Sequence, residues 1–347
     1  MTKLRVGVIG LGMGRGHVQN FAKHPKCDVV AISDLSPERL EETGNEHKIE
    51  KRYTNAEKML QNESLDIVSI ATPNTLHKPL TLAAFEAGAH VLCEKPMAMN
   101  AGEAREMLAA SKAANKRLMI NFSFRFTPQS WQLKKEVETG ILGDIYYART
   151  EWLRRQGLPG FGGWFGQKAL SGGGPLIDLG VHRLDLALWL MGHPKPTWVM
   201  ASTYNAIASK LAAKKGFTFD VEDFATAMVK FENGATLDLA ASWASHIKEG
   251  ERIQTQILGT EGGLIQRNRD EGYEFEAELY FDRNDSHYNM QPHGNPPDAT
   301  TAMDHFADSI INDVPHIATG EEGLLVMEIL DAIYASAEKG EPVRIGT

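Results

Sequence analysis

Residues 6–17 read VGVIGLGMGRGH, an apolar run that passes directly into a stretch with glycine at positions 7, 10, 12, 14 and 16. A hydrophobic strand that ends in glycines and is followed by a helix leaves free backbone amides and a helix dipole facing one point, which suits a dinucleotide pyrophosphate. No register gives a strict G-x-G-x-x-G. Counting from Gly10, Gly12 fits but the sixth position is Arg15; counting from Gly12, Gly14 fits but the sixth is His17. Position in the chain argues for a nucleotide turn more strongly than the pattern does.

The segments that follow repeat the same rhythm. Val6–Ile9 reads as a strand, and Gly16–His24 places Val18, Phe21 and Ala22 at helical spacing before Pro25. Asp28–Ser33 contains a second strand, VVAI, and Ser36-Pro37 is a good helix start, because serine caps free amides and proline at the first helical position loses no hydrogen bond. Apolar runs at 67–71, 91–93 and 118–120 alternate with helical patterns at 80–87 and 104–113, which predicts βα units and a parallel sheet. Asp34 ends the second strand, 24 residues past Gly10, close to the spacing of about 20 expected for an acid that binds an adenosine ribose. A carboxylate there accepts from the 2′-hydroxyl and repels a 2′-phosphate, which favours NAD over NADP. The plainer reading of Asp34 is that it opens the Asp-Leu-Ser-Pro turn.

After Asn121 the pattern changes to strands with short turns, at 145–152, 197–203, 225–231, 236–242 and 251–258, with Asn233-Gly234 marking a hairpin. The fold expected is therefore an α/β Rossmann domain with a doubly wound parallel sheet, residues 1–123, followed by an α+β domain with a large, mostly antiparallel open sheet, residues 124–347. Residues 282–300, rich in proline, glycine and polar side chains, read as a long loop. Two domains suit a chain of 347 residues with 42% hydrophobic composition. A net charge of −9 argues against general nucleic-acid binding, which needs a basic footprint. Cys27 and Cys93 have no metal-ligand spacing and read as buried small hydrophobes. With no secretory h-region after Met1 and no apolar run of spanning length, the sequence reads as cytoplasmic, with no membrane partner.

Two further stretches carry chemistry. In AHVLCEKPMAM, Glu94-Lys95-Pro96 follows a buried strand and so lies at the carboxyl edge of the sheet, where doubly wound folds bind ligands. Lysine there can polarise a substrate oxygen or exchange its proton; a surface salt bridge is the bland alternative. In SGGGPLIDLGVHRLDLALWLMG, Pro175 reads as a first helical residue, and Asp178, His182 and Asp185, spaced four and three apart, would line one helix face. The other faces are apolar, so the helix is buried, and a buried acid–imidazole–acid stripe is costly unless paired or used. An aspartate one turn before a histidine suits a general base. Alternatively, Asp178 is a helix-start acid favoured by the dipole and His182 a satisfied core histidine. No further ligands at matching spacing point to a metal. Trp152, Arg154, Arg155 and Gln156 leave the first strand of the second domain, and Trp164 follows in a glycine-rich loop; Arg154 and Trp164 are candidates for hydrogen-bonding and stacking a substrate, or else a hydrated arginine and a core tryptophan.

With these residues in view the chain resembles the Gfo/Idh/MocA family of nicotinamide-dependent sugar and cyclitol oxidoreductases over nearly its whole length. The resemblance rests on the glycine loop, Ala71-Thr72-Pro73-Asn74 with His77, Glu94-Lys95-Pro96, Asn121 with Arg125-Phe126, and Gly174, Asp178, Gly180, His182 and Asp185. The family's usual form, G-x-G-x-x-G-x-x-H, counted back from His17 makes this loop one residue short, with Gly10 for the tight turn, Gly12 for approach of backbone to pyrophosphate and Gly14 for packing helix on strand. The resemblance implies cofactor contacts from Gly10, Gly12, Met13, Gly14, Asp34, Thr72, Asn74, His77, Glu94, Lys95 and Arg125. It implies catalysis by Lys95, Asp178 and His182, which also touch substrate: His182 takes a hydroxyl proton, Asp178 orients, and Lys95 holds the oxygen as hydride leaves the same carbon. The base is Lys95 or His182. The implied substrate is a secondary alcohol of a sugar, glycoside or cyclitol, with an NAD-using glycosidase or a non-catalytic dinucleotide-binding regulator as alternatives. The family also implies homodimers or homotetramers formed through the C-terminal sheet.

Overall fold

The computed structural model describes residues 3–294, 296 and 300–345. It divides into two compact units, residues 1–122 with 300–327, and residues 123–299 with 328–347.

In the first unit β1 (Leu4–Ile9), α1 (Gly14–Lys23), β2 (Cys27–Ser33), α2 (Pro37–Glu46), β3 (Lys51–Tyr53), α3 (Ala56–Asn62), β4 (Ile67–Ile70), α4 (His77–Glu86), β5 (His90–Glu94), α5 (Ala101–Ala114) and β6 (Leu118–Asn121) alternate. The six strands are all parallel, in the order β3-β2-β1-β4-β5-β6, so the expected doubly wound sheet is present. β4 is buried at every position, as a strand covered on both faces must be. β3 and α3 lack an apolar run long enough to be read from sequence; two of the three β3 residues are exposed at the sheet edge. Ser36 Oγ accepts from Arg39 N at 3.3 Å with Pro37 in the first turn, as the helix-start reading of that dipeptide expects. Residues 300–327, expected in the second domain, group with the first unit. They pack there because Ala318 O accepts from Ile120 N at 2.8 Å and Arg117 Nη2 reaches Asp313 Oδ1 at 2.8 Å, which satisfies the outer edge of β6.

A buried polar chain joins α1 to three strands at their carboxyl ends. Ser69 Oγ meets His17 Nδ1 at 2.7 Å, His17 Nε2 meets Glu94 Oε1 at 2.9 Å, and Asn121 Nδ2 donates to the same oxygen at 2.6 Å. Lys95 N donates to Glu94 Oε2 at 3.2 Å. Burial pushes the Glu94 carboxyl up, but the His17 and Asn121 hydrogen bonds and the Lys95 charge outweigh it and hold the group below the usual glutamate value. Cys27 and Cys93 are buried, and burial raises both thiols, Cys27 to about 12. No helix among the described residues is long and apolar enough to cross a membrane.

The second unit contains α6 (Pro128–Glu138), β7 (Ile145–Arg154), α7 (Lys168–Ser171), a π turn at Leu176–Gly180, α8 (Val181–Leu190), β8 (Pro196–Tyr204), α9 (Ala208–Lys214), β9 (Phe224–Phe231), β10 (Thr236–Ser242), β11 (Glu251–Gly259), β12 (Gly262–Asn268), β13 (Phe275–Arg283) and β14 (Ser286–Met290). After α10 (Ala302–Ile311), the helix α11 (Gly320–Lys339) crosses the boundary between units and leads to β15 (Val343–Arg344). The nine strands run β14-β13-β12-β11-β7-β10-β9-β8-β15, antiparallel apart from β7 with β10. Gly234, at φ +88°, turns β9 into β10 at the expected hairpin. The long loop expected at 282–300 is shorter than that: β14 occupies Ser286–Met290, pairing with β13 although its residues are mostly exposed. Residues 295 and 297–299 of that stretch lie outside the described residues.

All ten residues of α8 are buried, including Asp185. Asp178 lies in the π turn, whereas His182 and Asp185 both lie in α8. Asp185 takes Arg125 Nε at 2.8 Å and Nη2 at 2.5 Å, both side chains being essentially unexposed.

Two measurements test these arrangements. Glu94, held below its ordinary value, contributes stability that is complete above the unfolded pKa near 4.5 and lost as pH falls through the lower folded value. The melting-temperature gap between wild type and Glu94→Gln should narrow from pH 7 to pH 4, and a constant gap would contradict the assignment. Asp185→Ala leaves a buried guanidinium uncompensated and should cost about 3–5 kcal/mol in urea unfolding, most of it recovered by the paired Arg125→Met/Asp185→Leu exchange. An equal loss in the double variant would mean the pair is not the cause.

Candidate active site

The glycine turn opens at Gly10, whose φ of +87° is the left-handed region, and a Cβ there would sit 2.4 Å from Ala71 O. β1 thus closes against the end of β4 at the point where the strand order reverses. A Cβ on Gly12 would meet only Arg39 Nη1, at 3.9 Å, so this side of the turn is open to a ligand. At Gly14 a Cβ would lie 3.2 Å from Val8 and 3.3 Å from Ala71, so the start of α1 packs tightly on the sheet. Met13 precedes α1 and is 74% exposed.

Asp34 opens the turn and is also tied to the glycine loop. Its Oδ1 accepts from Ser36 N at 2.8 Å, which opens the turn, and its Oδ2 accepts from Leu11 N at 2.6 Å, which fixes the carboxylate against the glycine loop. Each oxygen keeps acceptor capacity for a hydroxyl. Arg39 Nη1 is 3.8 Å from Oδ2. Thr72 follows β4 beside Gly10, and its buried Oγ1 has no hydrogen-bond partner in the protein, a cost that a bound polar group would remove. The open face at Gly12, the anchored Asp34 and this orphaned hydroxyl together fit a dinucleotide. Asn74 opens a short 3₁₀ turn ahead of α4 and is nearly buried.

His77 is placed differently from the expected cofactor contact. It is wholly buried, with Nδ1 2.7 Å from Pro96 O and Nε2 2.9 Å from Thr72 O, so it cross-links the loop after β4 to the loop after β5. Burial lowers its pKa although both carbonyls pull the other way, and a neutral ring donates to only one of them. Glu94 likewise serves the internal network described above, while Lys95, partly exposed, is followed by a cis peptide to Pro96.

In the second unit Asp178 lies in the π turn and His182 in the first turn of α8, both against one aromatic cluster. Trp243, just past β10, donates its indole N–H to Asp178 Oδ2 at 3.0 Å, and its own amide is held by Asp223 O at 3.1 Å. The His182 ring packs edgewise on Phe124 at 4.9 Å between centroids and at 5.8 Å from Trp152. Glu222 grips the start of this segment. Its two oxygens accept from Gly174 N at 2.9 Å and Leu176 N at 3.1 Å, and Tyr334 OH donates to it at 3.0 Å. Burial pushes the Glu222 carboxyl up, against these hydrogen bonds. A Cβ on Gly174 would stand 2.0 Å from Glu222 O, so only glycine fits where the segment before β9 touches the entry to the turn. An acid fixed by an indole and a neighbouring histidine with apolar walls can orient a hydroxyl and accept its proton.

Arg125 is not a ligand-facing residue: it is fully buried, spent on Asp185, with Nη2 3.3 Å from His193 Nε2. Trp164 stacks on Phe165 at 3.9 Å, and Phe165 in turn meets Trp243 edgewise at 6.3 Å, so the loop after β7 touches the cluster that holds Asp178. Arg154 is engaged by Glu251 Oε1 at 2.6 Å and Tyr273 OH at 2.7 Å. Trp243, Glu222, Tyr334 and Tyr273 escaped the sequence reading. Their contacts join residues far apart in the chain, and the Trp243 indole was the one visible sign, a buried polar handle that needs an acceptor.

Comparison with known proteins agrees with this geometry. Residues 4–122 match the model of an oxidoreductase family with an NAD-binding Rossmann fold, and residues 134–345 match the C-terminal α/β domain of the same Gfo/Idh/MocA family. The chain is 31% identical to a D-glucoside 3-dehydrogenase of Escherichia coli, covering 99% of this chain and 98% of that one. It is 31% identical to a levoglucosan dehydrogenase of Pseudarthrobacter phenanthrenivorans, over 76% of this chain and 74% of the relative. A levoglucosan dehydrogenase solved with NADH and levoglucosan superimposes with a TM-score of 0.86 at 27% identity, covering 100% of both chains. The chain belongs to the Gfo/Idh/MocA family of oxidoreductases.

Proposed function

We propose that this protein is an NAD-dependent dehydrogenase that oxidises a secondary hydroxyl of a sugar, glycoside or cyclitol. The observation that carries the reading is His182 and Asp178 set against an aromatic cluster, with Asp178 held by Trp243, in a chain whose other unit offers an open glycine turn with an anchored acid. The E. coli and Pseudarthrobacter relatives, which act on a glucoside and on levoglucosan by their names, support a sugar as substrate.

In this reading His182 accepts the hydroxyl proton and Asp178, kept in place by the indole, accepts a hydrogen bond from substrate and orients it. Lys95 donates to the reacting oxygen and stabilises the negative charge that develops there. Bound NAD supplies the hydride acceptor. Gly10, Gly12 and Gly14 shape the loop that holds its pyrophosphate, Thr72 offers a hydroxyl, and Asp34 accepts from the adenosine ribose. Apolar walls around His182 exclude water and strengthen each of these polar contacts. We also propose that copies associate through the sheet of the second unit, where Met228 of β9 is 39% exposed; a single-chain mass by light scattering would oppose that.

The test is steady-state reduction of NAD and of NADP with a panel of polyols, glycosides and cyclitols. NAD should be the better cofactor, and Asp34→Ala should narrow its advantage; equal or better use of NADP by the wild type would overturn the role of Asp34. His182→Ala should lower kcat by about 10²- to 10⁴-fold while leaving the NADH dissociation constant, read by fluorescence, unchanged. Unchanged turnover would remove His182 from the chemistry.

A further inference from the structure

Next to His182 the end of β7 and the hairpin between β12 and β13 build a second ring surface. Glu251, opposite Arg154 in the β7–β11 register, gathers three donors on a single oxygen: Trp152 Nε1 at 2.5 Å, Arg154 Nε at 2.6 Å and Tyr273 OH at 3.3 Å. Arg154 Nη2 also donates to the Tyr273 hydroxyl at 2.7 Å, and its guanidinium lies over the Trp152 ring at 5.5 Å. The Trp152 ring is 5.8 Å from the His182 ring and 6.0 Å from the Tyr273 ring.

Tyr273 is 58% exposed, yet it is not a loose surface ring. Its hydroxyl is held from two charged side chains, and the hairpin that carries it is pinned by Arg269 N to Glu274 O at 2.8 Å and by Gly250 N to Glu271 Oε2 at 2.7 Å. A flat apolar face held rigid in water loses little conformational entropy when a ligand covers it, and the guanidinium beside it can reach ligand hydroxyls. Trp152 is only 3% exposed, so the ring available to a ligand is that of Tyr273, which shares Trp152 as a neighbour with His182.

We propose that Tyr273, fixed by Arg154 and Glu251, is a specificity-determining residue that stacks on a second ring carried by the substrate, so that the favoured substrate is a glycoside with a ring-bearing aglycone rather than a free monosaccharide. This rests on the proposed sugar dehydrogenase reading, with His182 at the oxidised sugar. The shared chemistry of the occupant is a flat face with apolar C–H or aromatic character, supplied by a pyranosyl or an aryl group.

The experiment compares methyl glucoside, cellobiose and p-nitrophenyl glucoside, the glucosides as both anomers, on wild type and Tyr273→Ala, with NAD. Tyr273→Ala should raise KM for the ring-bearing substrates about 5- to 10-fold and leave KM for methyl glucoside and all kcat values unchanged. A response to cellobiose alone assigns a pyranosyl group, and a response to the nitrophenyl compound alone an aryl group. Equal changes for all three substrates, or none, overturn the proposal. Saturation-transfer NMR of the same ligands provides a readout independent of turnover. If wild type oxidises none of them, the dehydrogenase reading of these sugars fails, while a ring-proton signal present with wild type and lost in Tyr273→Ala still supports the subsite. Absence of that signal with wild type, or its persistence in the variant, overturns it.

Discussion

Glu94 is the point on which the nucleotide-binding unit turns. One carboxylate oxygen receives His17 from α1 and Asn121 from β6, while the other receives the amide of Lys95. His17 in turn meets Ser69 in β4. An acid placed at the carboxyl edge of a buried sheet loses its hydration, and the hydrogen bonds it gains restore the ionised form. The consequence is geometric. The helix that follows the glycine turn, the strand that leads to Thr72 and the loop that presents Lys95 are tied together through Glu94 and His17, and His77 adds a second tie between the Thr72 and Pro96 backbones.

The second unit uses the same device with other residues. Glu222 holds the two free amides at the entry to the π turn, Trp243 holds the Asp178 carboxylate, and Arg125 is consumed by Asp185. In both units the charged residues divide into those that structure the backbone and those proposed to meet a ligand. Glu94, His77, Arg125 and Asp185 are of the first kind. Asp34 fixes Leu11 and still has acceptor capacity for the proposed contact.

The division explains what could be read from the sequence. The parallel sheet was legible because a strand covered on both faces must be continuously apolar, and Ile67–Ile70 is. The glycine turn was legible because Gly10 needs a left-handed backbone. The strand β14 was not, since Ser286–Met290 carries polar, exposed residues and exists through pairing with β13. The π turn was hidden as well: a spacing of four and three residues assumes an unbroken α-helix, and the sequence carries no separate sign of the wider turn. Family resemblance pointed to His77 and Arg125, but burial decided what they do, and burial depends on partners 19 and 60 residues away.

The central claim is that a sugar carbon gives its hydrogen directly to a nicotinamide held by the first unit. Methyl glucoside deuterated at every ring carbon, incubated with NAD and the protein, tests this through the mass of the cofactor after turnover. The account predicts reduced cofactor carrying one deuterium. Reduced cofactor without deuterium, or sugar consumed with no reduced cofactor formed, would contradict it.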